Sequence, residues 1–180
     1  MMLQAAGILL QAIVIGLLIR IAIVDFKIQK IGNRDVLALA GVGLAALVIE
    51  AYRRLDLLQL DVWWNVYVSM IAAAVLFIAL LPFWFLRKVG AGDVKLMAAA
   101  PLVAGGEYML PFSILLMLFA LITALFVKNP MLLPAPLFRQ YLEYFERKGV
   151  VPFGVPIAGA LLGVEVLRAL AIRMGVMGGF

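Results

Sequence analysis

The 180-residue sequence contains no histidine and no cysteine. That removes Ser-His and Cys-His nucleophilic sites, zinc sites of the His or Cys type, and thiolate-held iron–sulfur clusters and disulfides. Hydroxyls are almost missing too. Ser69, Ser113 and Thr123 are its only Ser and Thr, each inside an apolar stretch with no basic partner nearby in sequence. No GxxxxGK[ST] run is present, which excludes a P-loop nucleotide site, and the loose GxGxxA match at Gly41 has no strand-to-helix setting. Positive charge is lacking at the start: Met1 to Ile19 carries none, and Arg20 follows the first apolar run. A signal peptide has its charge first, so this span is expected to stay in the mature protein. Chemistry, if any, must come from carboxylates, with lysines, tyrosines or backbone groups in support.

Charged residues are also scarce, at 14% of the chain against roughly 25% in soluble domains. Apolar types make up 67%. A soluble fold of this size has too much surface for its volume to hide that much apolar area, and lipid is the solvent that tolerates it. Apolar runs predict spans at about residues 6–24, 36–51, 62–86, 108–127 and 151–172. A shorter one, 94–104, ends at Pro101 and the Gly105-Gly106 pair. That fourth run is too short to cross squarely and is plausible only if packed inside the bundle or capped by a thinned or wet site. The expected fold class is all-α: a polytopic integral membrane helix bundle of about six transmembrane helices. It forms a single domain over residues 1–180, with no cofactor and no metal.

The net charge of +5 reads as membrane orientation rather than nucleic-acid binding. With six spans, ten basic residues share one side: Lys27, Lys30 and Arg34, then Arg87, Lys88 and Lys95, then Lys128, Arg139, Arg147 and Lys148. Arg53, Arg54 and Arg173 fall on the other. The positive-inside rule makes the ten-residue side cytoplasmic. Arg20 and Arg168 lie near span ends, where long side chains snorkel. Residues 128–150 read as a cytoplasmic loop. It carries either a short amphipathic surface helix, with Phe138, Tyr141, Leu142 and Phe145 at helical spacing, or a mere cover for the bundle.

Of ten acidic residues, Asp56, Asp61, Glu143 and Glu146 read as solvated charges. Asp35 is placed to cap the second span. Glu165 lies deep in the last span, with Arg168 one turn on, and a local ion pair is the plain reading. Asp25 closes an apolar run and Asp93 opens one after Gly90-Ala-Gly. Two crossings separate them, so both lie at one membrane face. Two adjacent carboxylates cannot both ionise cheaply and share a proton. One can activate water while the other polarises a peptide carbonyl, which is aspartyl protease chemistry. Gly90 and Gly92 let the backbone bend and another chain approach closely. Either aspartate alone could be an ordinary helix-end acid. Lys95 could tune the pair, meet lipid phosphate, or be one more cytoplasmic-side charge. Gly41, Gly43, Gly159 and Gly163 read as small-residue contacts between helices.

Asp25-Phe-Lys-Ile-Gln-Lys-Ile-Gly-Asn33 resembles the first signature of the type IV prepilin peptidases, an Asp followed by Ile-Pro-Asn. Gly90-Ala-Gly-Asp-Val-Lys95 resembles their second, GxGDxK, and Val151 to Ala158 resembles their Pro-Phe/Tyr-Gly stretch entering the last span. Gly32 stands where the family has Pro, and Gly can also break a helix after the first span. The resemblance implies that Asp25 and Asp93 are the catalytic pair, with Gly90, Gly92, Lys95 and Asn33 as supporting motif residues. It implies an endopeptidase that removes a short basic leader from prepilin-like proteins at the cytoplasmic face of the cell membrane. Without cysteines or room for a zinc-binding domain, peptidase activity alone is expected. An archaellin-precursor peptidase of the same chemistry is the near alternative. A non-catalytic transporter or pilus-assembly scaffold is the distant one. Its partners would be the precursor protein and lipid, and not nucleic acid.

Overall fold

A computed structural model describes residues 2–55, 62–87, 89–129 and 153–173. Six α-helices follow in order: α1 Met2–Ile28, α2 Asn33–Leu55, α3 Val62–Phe85, α4 Ala91–Ala104, α5 Met109–Lys128 and α6 Gly154–Arg173. A 3-10 turn at Gly106–Tyr108 leads into α5, and no strand occurs among the described residues. The surface segment expected within 128–150 lies outside them, except for its start at the end of α5.

All helices but α4 are long and apolar enough to cross a membrane. Ile8, Trp64, Leu110 and Met117 are mostly exposed, as side chains meeting acyl tails would be. α4, with 14 residues, is about 21 Å long against a hydrocarbon core of about 30 Å. It is sheltered accordingly: α4 packs against α2, α3 and α6, and Leu96, Ala100 and Ala104 have no exposure at all.

Small residues set the spacing. A Cβ on Gly43 would lie 2.8 Å from the Leu102 carbonyl oxygen, so α2 and α4 touch backbone to backbone. Gly159 and Gly163 receive Phe119 and Leu115 of α5 in the same way, whereas Gly41 faces open space and makes no such contact. Pro101 lies within α4 rather than ending it; the stop comes at Gly105, whose φ of 79° suits glycine. α1 overruns its apolar segment by about a turn and stops at Gln29, a non-glycine residue at φ 55°. The break expected at Gly32 therefore falls three residues earlier. Polar residues outside the apolar core still form helix, which is why apolar runs understate helix length.

Two charged groups inside the bundle pair with each other. Arg168 Nη1 meets Glu165 Oε1 at 2.8 Å. Its Nη2 donates to the Ala104 carbonyl at 2.7 Å, and the guanidinium lies 5.0 Å from the Tyr108 ring centroid. Arg168 thus satisfies a carbonyl orphaned at the C-terminus of α4. Asp35 sits in the first turn of α2 and pairs with Arg20 of α1 at 3.3 Å, rather than capping α2.

Candidate active site

The ends of α1, α4 and α6 converge around the two aspartates. Asp25 lies one turn before the end of α1 and is only 4% exposed. The backbone amides of Gly154 and Val155, the first residues of α6, face its carboxylate. Its Oδ2 is nonetheless buried without a well-formed hydrogen bond. Gly154 is required at that spot: a Cβ there would stand 2.7 Å from both Cγ and Oδ2 of Asp25. Phe26, beside Asp25, packs on Val127 and Phe126 near the end of α5.

Asp93 occupies the first turn of α4, outside the five long spans. Gly90 is the N-cap and makes no side-chain cap; instead the Asp93 carboxylate turns back to the Gly90 backbone amide. Partial burial and, second, the charge of Asp25 push the Asp93 carboxyl from its ordinary 3.8 up to about 6, with the Gly90 amide acting in the opposite direction. The two carboxylates are therefore close enough to feel each other. A shared proton between two such groups is the arrangement from which general acid and general base work together.

The α1–α2 link is tied to α4 beside them. Lys95 Nζ donates to Asn33 Oδ1 at 2.9 Å, joining two residues 62 positions apart. A Cβ on Gly92 would lie 3.0 Å from Ile31 Cβ. The structure thus brings Asp25, Asp93, Gly90, Gly92, Asn33 and Lys95 to one end of the bundle. It keeps Glu165 away, in its ion pair near the C-terminus of α4. The three hydroxyls are occupied: Ser69, Ser113 and Thr123 each donate to the carbonyl four residues earlier.

Comparison with known proteins adds one finding. Residues 12–127 match the type IV leader peptidase family. The chain belongs to that family. No curated protein and no solved structure gave a significant match. The chain is thus a leader peptidase, a hydrolase of peptide bonds, carried on membrane-spanning helices. The matched stretch of the peptidase contains both aspartates and the Asn33–Lys95 pair and ends before α6. Sequence reasoning assigned no role to three neighbours of Asp25: Gly154, Val155 and Gln29, whose Nε2 is buried without a partner among the described residues. Gly154 and Val155 had a signal in the Pro-Phe-Gly stretch; Gln29 had none.

Proposed function

We propose that this leader peptidase is an aspartyl endopeptidase. It removes the leader from prepilin-like precursors, of the type IV or Flp type, at the cytoplasmic face of the cell membrane. Asp25 and Asp93 are its catalytic pair. The observation that carries the reading is the closeness of two half-to-fully buried carboxylates, the charge of Asp25 bearing on Asp93, at positions 68 apart in sequence. One carboxylate takes a proton from water as its oxygen adds to the scissile carbonyl carbon. The other gives its proton to the carbonyl oxygen. The resulting gem-diol collapses with the C–N bond breaking and a proton passing to the amine.

Orientation rests on the ten basic residues that share the side of Asp25 and Asp93. The leader would meet the site from the cytoplasm while the precursor's apolar helix stays in the bilayer. A transporter would need free ionisable groups near the midplane. Glu165, the deep acid, is held by Arg168, which speaks against that alternative.

The test is co-expression with a prepilin from the same genome, following leader removal by mass. Wild type should cleave, and Asp25→Asn and Asp93→Asn should be folded and inactive, since Asn can serve as neither base nor acid. Near wild-type cleavage by either variant would make that residue structural and end the two-aspartate reading.

A further inference from the structure

Ile31 stands between the two halves of the site. On one side, a Cβ on Gly92, next to Asp93, would come within 3.0 Å of Ile31 Cβ. On the other, a Cβ on Gly154, beside Asp25, would come within 2.9 Å of Ile31 Cδ1. Both glycines leave room for this one side chain, which also packs on the main apolar core. Its backbone is held on both flanks. Gln29 in the left-handed region turns the chain sharply after α1, and Asn33 is fastened to Lys95 of α4. Ile31 opposite Gly92 and Asn33 opposite Lys95 make two successive contacts of one link on one helix start.

We propose that Ile31 is a positioning residue, a spacer wedged between Gly92 and Gly154 that fixes how far apart Asp25 and Asp93 are held. The proposal rests on the reading of those aspartates as the catalytic pair. A water and a peptide group must be reached by two carboxylates at once, and a misplacement of about 1 Å can cost about a hundredfold in rate. A branched side chain meeting both neighbours at van der Waals range resists approach of the two segments. Its Cβ and Cγ atoms bear on Gly92, and Cδ1 reaches Gly154.

Two measurements test this on the full-length protein in lipid nanodiscs, with a prepilin as substrate. Ile31→Ala should lower kcat by about tenfold or more with KM little changed, and Ile31→Leu, whose δ carbons can still reach Gly154, should restore most of it. A merely structural Ile31 would instead lower the melting temperature and the active fraction together, leaving kcat per folded enzyme unchanged, and that result overturns the proposal. The naturally cysteine-free chain permits the second measurement. The pair Ile31→Cys and Gly92→Cys should cross-link on mild oxidation, since their Cβ positions, 3.0 Å apart, need ease by only about half an ångström to reach the roughly 3.5–4.5 Å that disulfides span. The cross-linked enzyme should keep the kcat of its own reduced form, because a spacer does not move in turnover. Failure to cross-link, or cross-linking that stops cleavage until reductant is added, overturns it. Inactivity of Asp25→Asn and Asp93→Asn alongside any of these failures would leave the catalytic pair standing without the spacer.

Discussion

Gly154 shows how tightly one carboxylate is held. Gly154→Ala would put a methyl 2.7 Å from the Asp25 carboxyl carbon. We expect a loss of cleavage of about a hundredfold in a protein that still folds, measured as kcat beside a thermal melt. Asp93 carries a pH prediction. Its carboxyl lies near 6 in the folded protein against an ordinary 3.8, so the folded state binds the proton more tightly. The stability it contributes is full below about pH 4 and is lost as pH rises through about 6. Asp93→Asn should therefore melt above wild type at about pH 8 and together with it at about pH 3.5. On the proposed role of Asp93, cleavage by wild type should fall as pH rises through about 6, as Asp93 loses its proton. The aspartates and their glycines were legible in the sequence because acids at the ends of apolar runs and closely paired glycines are rare. The amides of Gly154 and Val155 were not, because a backbone donor leaves no letter of its own. Ile31 carried a mark only as the Ile of the Ile-Gly-Asn stretch, which says nothing of the glycines it meets.

At the scale of helices, apolar runs located all six elements to within a few residues. They missed the stop at Gln29, since a left-handed turn at a non-glycine residue has no reliable sequence mark. Small residues gave a mixed result that the packing explains. Gly43→Ala would press on the backbone of α4 at Leu102, which cannot retreat as a side chain can. We expect about 1–3 kcal/mol of destabilisation. Gly41→Ala meets nothing within 4 Å and should stabilise α2 by up to about 1 kcal/mol, the ordinary gain of alanine over glycine in a helix. Denaturation in one detergent compares the two directly. Arg168 fastens α6 to the end of α4. Arg168→Met strands Glu165, which is 7% exposed, and should cost about 3–5 kcal/mol. Glu165→Gln takes the carboxylate from Arg168 but leaves it the Ala104 carbonyl and the Tyr108 ring, and should cost less. Melting temperatures of the two variants would rank them.

For the whole molecule, the six-helix arrangement places the ends of α1, α3 and α5 with the beginnings of α2, α4 and α6, and the candidate site occupies that end. Orientation is testable because no native thiol interferes. A single cysteine from Lys30→Cys should escape a membrane-impermeant maleimide in intact cells and react after lysis. One from Glu107→Cys should react in both. The reverse pattern would turn the molecule over and put the site outside. The order in which the chain is made has a consequence of its own. Both aspartates are in the chain once residue 93 has been added, but the amides and the bare glycine that enclose Asp25 belong to α6. Some 60 residues later, at roughly 5–20 residues per second, is a delay of about 3–12 s. Through that interval the nascent chain holds both acids but not the enclosure of Asp25, so on the proposed reading of the pair the site is complete only once α6 is in place.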